Sequence, residues 1–133
     1  MNNAVLDASA MLAYFYDEPG ADVVEKVLLT NVCMGAINWA EVLSKVSDKG
    51  CVPQDLIKTL TSQGLLGNSL EILPTTEVDA LIIAQLRART RSLGLSLGDR
   101  ACLALGLRLR CPVITADQIW SELDIEVSVQ TIR

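Results

Sequence analysis

Short apolar runs alternate with longer helical segments along this chain, and this alternation restricts the fold more than any other feature. Parallel neighbours in a sheet need a crossover of a dozen or more residues, which is usually a helix. The pattern therefore predicts an α/β fold with a central, mainly parallel sheet. Predicted strands cover residues 3–6, 32–35, 70–73, 113–115 and 126–130, and predicted helices cover residues 8–16, 21–29, 36–49, 53–63, 77–93, 97–109 and 118–123.

The size of the chain favours one domain. It has 133 residues, half of them hydrophobic, which suits a single domain over residues 1–133. The apolar stretch 4–6 stops at Asp7 with no basic segment before it, so no signal peptide is expected. No apolar run is long enough to cross a bilayer. The four cysteines are scattered, which predicts free thiols in a cytoplasmic setting rather than a zinc site.

The chain contains no histidine, and this absence limits its chemistry. It excludes Ser-His-Asp and Cys-His nucleophile systems, the paired-histidine ribonuclease mechanism and the usual zinc hydrolases. Proton transfer would have to use carboxylates, lysine, tyrosine, cysteine or metal-bound water.

Four acidic residues lie beside apolar segments, where a charge is costly unless it is paired or bound to a cation. Asp7 and Asp117 follow predicted strands, Asp99 is near a helix start, and Glu41 is within a helix. If they converge, two charges about 5 Å apart repel by roughly 3 kcal/mol at an effective dielectric of about 20. A divalent metal would offset that repulsion, so the acids are candidate metal ligands.

Each acid also has a purely structural explanation. Asp7 and Asp117 can act as helix N-caps or turn residues. Asp99 can complete a capping box, since a serine stands three residues before it. Glu41 can be a solvated acid that pairs with the lysine four residues later. Local sequence does not separate these explanations from metal binding.

Basic residues are concentrated late in the chain. The net charge of −5 argues against broad nonspecific binding to nucleic acid, but residues 85–110 contain six arginines and the single acid Asp99. One explanation is a solvated helix face. The other is a rim that guides phosphates towards the acidic site, with Arg87, Arg91 and Arg100 as candidate contacts.

Four short blocks identify a family resemblance. They are VLDAS at 5–9, NWAEV at 38–42, LSLGD at 95–99 and VITAD at 113–117, the last followed by Trp120. Their order and spacing resemble PIN domains over essentially the whole chain, and the size resembles the toxins of VapBC-type toxin–antitoxin pairs. The resemblance implies a PIN-like three-layer α/β/α sandwich.

The same resemblance implies a function. It implies an Mg²⁺- or Mn²⁺-dependent endoribonuclease, the toxin of a type II toxin–antitoxin pair, with RNA as substrate and a small antitoxin as inhibitor. Asp7, Glu41 and Asp99 match the core metal-binding acids of the family, and Asp117 matches a fourth. The notably apolar composition suggests a homodimer as well as an antitoxin groove.

Two neighbours of the first and last acids are expected to shape the site. Ser9 and Thr115 are predicted to support the metal or its waters. Gln118 and Ile119 depart from the family pattern, in which an arginine and a small residue often occupy these positions, and this concerns a substrate contact rather than the metal site.

Other functions are less well supported. A phosphatase with an aspartate nucleophile would need a second acid two residues later, where this chain has serine. A phospho-receiver domain would need an acid pair after the first strand and a lysine late in the fold, and neither is present. The main alternative is a catalytically weak PIN-fold module that binds RNA or protein.

Overall fold

Five strands form one sheet in the computed structural model, which describes residues 1–133. Their order across the sheet is β3-β2-β1-β4-β5, and every neighbouring pair is parallel. The prediction of a mainly parallel sheet is therefore confirmed. The strands are β1 (Val5–Leu6), β2 (Val32–Gly35), β3 (Leu70–Leu73), β4 (Val113–Thr115) and β5 (Val129–Thr131).

Helices cover both faces of the sheet, because successive side chains on a strand point to opposite sides. In β1, Leu6 lies in a core of 19 buried residues, whereas Val5 lies in a second core of 12. The first core includes residues of the first four helices, and the second includes residues of the last two. The result is a three-layer α/β/α sandwich. The helices are α1 (Ala8–Phe15), α2 (Ala21–Leu28), α3 (Ala36–Asp48), α4 (Pro53–Ser62), α5 (Glu77–Thr90) and α6 (Leu97–Leu109), with 3₁₀ turns at Arg91–Leu93 and Gln118–Glu122.

The last strand differs from its prediction. The alternating residues Ile125, Val127 and Val129 predict a strand over 126–130, but β5 covers Val129–Thr131. Ile125 and Val127 do pack against the second core. Pairing with β4 begins only at residue 128, whose carbonyl accepts from the Val113 amide at 2.9 Å. Side-chain alternation located the buried face of this segment but not the start of its hydrogen bonding.

A buried ion pair joins α5 to α6. Asp79 forms a capping box with Thr76 at the start of α5, and its carboxylate also accepts from Arg108, with Nε at 2.5 Å from Oδ1. Burial raises the pKa of Asp79, but hydrogen bonds from Arg108 and Thr76 and the charge of Arg108 outweigh it, so the pKa is lowered. The carboxylate therefore stays charged although its side chain is only 4% exposed.

Replacing Arg108 by alanine should lower the free energy of unfolding by roughly 3 kcal/mol, because Asp79 would remain buried without its cation. Urea unfolding at neutral pH measures this loss. The loss should shrink as the pH falls from the ordinary aspartate pKa of 3.8 through the lowered pKa of folded Asp79, where the carboxylate gains a proton. The matched change Arg87→Ala, on the exposed face of α5, should alter stability by no more than about 0.5 kcal/mol. Equal losses in the two variants would contradict a specific role for the pair.

Candidate metal centre

The four predicted acids meet in one depression. β1 and β4 are neighbours, so the residues that follow them, Asp7 and Asp117, emerge at the same edge of the sheet. Glu41 reaches this edge from α3 and Asp99 from the start of α6, and all four line a single cavity of about 190 Å³. That volume is below the roughly 300 Å³ at which pockets for small organic ligands begin. It suits an ion with its waters better than a metabolite.

Asp7 is the most buried of these acids, with 5% of its surface exposed. Its Oδ1 accepts from the Ala10 amide at 2.8 Å, so it is also the N-cap of α1. Its carboxylate accepts from Ser9 Oγ at 2.8 Å and from Thr115 Oγ1 at 2.6 Å. The structure thus places both predicted supporting residues directly on Asp7. The Asp7 carboxylate is therefore both the N-cap of α1 and a candidate metal ligand.

Burial has a strong effect on the charge of Asp7. It raises the pKa of Asp7 from 3.8 to about 6, against the opposing effect of the hydrogen bonds from Thr115, Ala10 and Ser9, while the nearby charge of Asp99 raises it further. When a carboxylate held in this way ionises without a compensating cation, the folded protein loses stability. The position therefore favours binding of positive charge.

Glu41 does not form the predicted alternative pair with Lys45, since no ion pair joins them within 4.0 Å. Its Oε1 instead accepts from Asn38 Nδ2 at 2.9 Å, and the same amide group donates to the Gly98 carbonyl at 2.9 Å. Burial raises the pKa of Glu41, and the nearby charge of Asp99 raises it further, whereas the Asn38 hydrogen bond and the charge of Lys45 oppose the rise. Glu41 thus faces the acidic site and is only half-buried.

Gly98 is a site residue that the sequence did not single out. A Cβ atom at this position would lie 2.5 Å from Glu41 Oε1, closer than carbon and oxygen can approach. Only glycine therefore lets the first turn of α6 sit against the Glu41 carboxylate. Asn38 was also not predicted to be a site residue. The roles of both Gly98 and Asn38 depend on contacts between α3 and α6, which the residue types alone do not indicate.

Asp99 and Asp117 are less buried than Asp7, and each also has a capping role. Asp99 Oδ2 accepts from the Ser96 amide at 2.9 Å, which completes the predicted capping box and leaves Oδ1 without a protein partner. Asp117 is exposed, and its Oδ1 accepts from the Ile119 amide at 3.1 Å. Gln118 is also exposed, and its side chain donates to the Arg133 carbonyl.

The donor set fits a hard divalent cation. No three acids are close enough to enclose an ion as they stand. However, Mg²⁺ takes only one or two protein carboxylates and keeps several waters. The depression offers oxygen ligands, a glycine cradle beside Glu41, and a buried Asn38 Oδ1 that has no hydrogen-bond partner. These residues fit Mg²⁺ or Mn²⁺ and lack the sulfur and imidazole ligands that zinc prefers.

The arginine-rich stretch does not form one surface. Arg100 is 7% exposed, and its Nη1 donates to the Ile83 carbonyl of α5 at 2.9 Å. This burial corrects the expectation that Arg100 contacts RNA, because its guanidinium is enclosed between the last two helices. Arg89 pairs with Glu126 at 2.9 Å. Arg87 and Arg91 are exposed.

The comparison with protein families gives a clear result. The family profile described as PIN domain matches residues 4–126. The chain belongs to the PIN domain family. The match extends over β1 to β4 and includes all four acids of the depression. Comparison with proteins of curated function gives no significant match.

Solved structures with the same PIN fold cover nearly the whole chain. A toxin-antitoxin complex from Klebsiella pneumoniae has a TM-score of 0.76 at 19% identity, and the match covers 98% of both chains. DNA-bound VapBC from Salmonella typhimurium has a TM-score of 0.73 at 14% identity over 100% of both chains. FitAcB from Neisseria gonorrhoeae has a TM-score of 0.67 at 22% identity over 97% of both chains. Separately, none of the helices has the length and apolar character required to cross a membrane.

Replacing Asp7 by asparagine should stabilise the metal-free protein at neutral pH. The pKa of Asp7 is raised in the folded state, so ionisation costs stability as pH rises from about 4 through about 6. The rise in the Asp7 pKa from 3.8 to about 6 corresponds to a cost on the order of 3 kcal/mol. Thermal melting in EDTA across this range should show wild type losing stability relative to Asp7→Asn. The exposed control Asp48→Asn should follow wild type, and a parallel course for all three proteins would refute the cost.

Proposed function

We propose that this protein is an Mg²⁺- or Mn²⁺-dependent endoribonuclease that acts as the toxin of a type II toxin–antitoxin pair. The observation that carries the proposal is the buried Asp7 carboxylate beside Glu41 and Asp99, in a PIN-family chain without histidine. Three acids with mutual repulsion have a clear physical use only when a cation joins them. A bound cation would also supply an acidic water for phosphodiester hydrolysis, which suits a protein that has no histidine for proton transfer.

Each residue has a defined part in this proposal. Asp7, Glu41 and Asp99 would hold the ion directly or through its waters, and exposed Asp117 would hold its waters at the rim. Ser9 and Thr115 would keep the Asp7 carboxylate oriented. A bound ion would supply positive charge for the phosphate and a lowered pKa for the attacking water, so that no histidine base would be required. Because ligands must be deprotonated, the raised pKa of Asp7 makes occupancy depend on pH.

Two arginines remain candidate RNA contacts. Arg87 lies near the end of α5, and Arg91 lies in the 3₁₀ turn that leads towards the capping box of Asp99. Both side chains are exposed and form no ion pair. Because they are exposed and form no ion pair, they would supply a weak, general attraction for phosphates.

A protein partner is part of the same proposal. The Klebsiella pneumoniae relative is described as a toxin-antitoxin complex, and the Salmonella typhimurium relative as DNA-bound VapBC. By analogy this chain would bind a small antitoxin, and its apolar composition suggests that it also forms a homodimer. The exposed side chains of Val78, Leu81 and Leu97 supply apolar surface for such contacts. Four free cysteines agree with a reducing, cytoplasmic setting.

The alternative is a catalytically weak PIN-fold module that binds RNA or protein. Such a module would have no need for a carboxylate whose burial raises its pKa to about 6. The N-cap role of Asp7 could be met by serine or asparagine, and the capping-box role of Asp99 by glutamine, at lower electrostatic cost. Metal-dependent cleavage separates the two functions.

Purified protein should cleave RNA in Mg²⁺ or Mn²⁺ and stop in EDTA. Asp99→Asn should reduce the cleavage rate below detection, and Thr115→Val should reduce it roughly 10–100-fold, because Thr115 orients a ligand without contacting the ion. The exposed control Asp48→Asn should retain the wild-type rate. Gel analysis of total cellular RNA is the measurement, and robust cleavage by folded Asp99→Asn would contradict the proposal.

Replacing Gly98 by alanine should separate site geometry from stability. The new Cβ would displace the Glu41 carboxylate, whose side chain is flexible enough to move without unfolding the protein. In EDTA the melting temperature of Gly98→Ala should be close to that of wild type. The rise in melting temperature that Mg²⁺ gives wild type by linkage should be absent in the variant. The control Gly35→Ala introduces a Cβ that would meet only ordinary contacts at 3.5 Å and should keep the Mg²⁺ response. An unchanged response in Gly98→Ala would remove Glu41 from the ligand set.

A further inference from the structure

A second depression lies directly beside the acidic one and has the opposite charge. Its lining includes Tyr16, Lys45, Lys49 and Arg133, with Glu18 as the only acid. Lys45 lines both depressions, together with Ser9 and Leu12, so the two form one continuous cleft. Two of the cations come from the C-terminal part of α3 and the residue that follows it, and the third is the last residue of the chain, so the arginine-rich stretch 85–110 contributes none of them.

Two of the three cations are held in place by contacts within the protein. The Lys49 ammonium lies 4.1 Å from the centroid of the Tyr16 ring, a cation–π contact. Arg133 Nη1 donates to the Pro19 carbonyl at 2.9 Å and lies 3.7 Å from Glu18 Oε1. Groups that are already ordered lose less freedom when they bind a ligand. The basic depression is thus arranged before any ligand arrives.

Lys45 differs from the other two because it has no partner. Its side chain is exposed and forms no ion pair, although Glu41 stands one helical turn before it. It lies where the acidic and basic depressions join. The Tyr16 hydroxyl on the basic side also has no hydrogen-bond partner within the protein. Lys45 therefore leaves binding capacity unused at the point where the cleft changes sign.

We propose that this basic depression binds the backbone phosphates of single-stranded RNA next to the bond that is cleaved. The inference rests on the proposed function and names the path of its substrate. A polyanion approaching four carboxylates is repelled, and adjacent cations must offset that repulsion. Lysine ammoniums act as point charges for phosphate and carry no base preference, which suits contacts to a backbone.

The test compares two double variants with the same loss of charge. Lys45→Gln/Lys49→Gln removes two cations of the basic depression, whereas Lys26→Gln/Lys58→Gln removes two exposed cations from α2 and α4 that line neither depression. Binding of a fluorescein-labelled oligouridylate is measured by anisotropy in EDTA over a series of potassium chloride concentrations. Thermal melting confirms that both variants are folded.

We expect the Lys45→Gln/Lys49→Gln variant to bind more weakly and with a flatter salt dependence. The slope of log affinity against log salt should fall by about 1.4, since each phosphate contact on a single strand contributes about 0.7. Lys26→Gln/Lys58→Gln should keep the wild-type slope. Arg133→Gln should flatten the slope by about half as much, as one further contact is lost.

Three outcomes would overturn the inference. Equal slopes for the two double variants would mean that the cations of the basic depression are solvated side chains that do not contact the phosphates. Failure of wild type to bind the oligouridylate would remove RNA as the ligand. Equal loss of affinity for an oligoglutamate probe would indicate a surface for an acidic peptide.

These outcomes are separate from the test of cleavage. A flattened slope in a protein that does not cleave RNA would support the phosphate path and reject the nuclease. Metal-dependent cleavage with unchanged slopes would support the nuclease and reject the phosphate path.

Discussion

The Asp7 carboxylate must be held at the end of β1 with almost no access to water, and the rest of the site depends on how this is achieved. Its hydrogen bonds come from α1, through Ala10 and Ser9, and from β4, through Thr115. Thr115 is 108 residues away along the chain, so the contact exists only when β4 pairs beside β1. Formation of the central sheet and orientation of the first acid are therefore one event.

A second constraint acts between α3 and α6. Asn38 donates to Glu41 and to the Gly98 carbonyl, and this bridge brings the acid of one helix against the first turn of the other. The absence of a side chain at position 98 is what permits the approach. Asp99, the next residue, is held by its capping box with one oxygen free. The first turn of α6 thus positions Glu41 by close packing and Asp99 by capping.

The distribution of positive charge illustrates how a count of residues can mislead. Arg100 and Arg108 are used inside the protein, one on a backbone carbonyl and the other on Asp79. Arg89 is neutralised by Glu126. The cations that remain beside the acidic depression are Lys45, Lys49 and Arg133, which are not conspicuous in the sequence. An acidic protein can in this way present a local basic path without a basic segment.

The sequence by itself determined the elements and the positions of the acids. Apolar periodicity and the flanking caps located β2, β3, β4 and α6 at their observed bounds, because these signals reflect backbone energetics within a few residues. Only the tertiary structure decided that Glu41 turns towards Gly98, that Arg100 is enclosed and that β5 begins at Val129. The physical reason is that each of these outcomes depends on contacts between segments far apart in the chain, and such contacts leave no local pattern in the sequence.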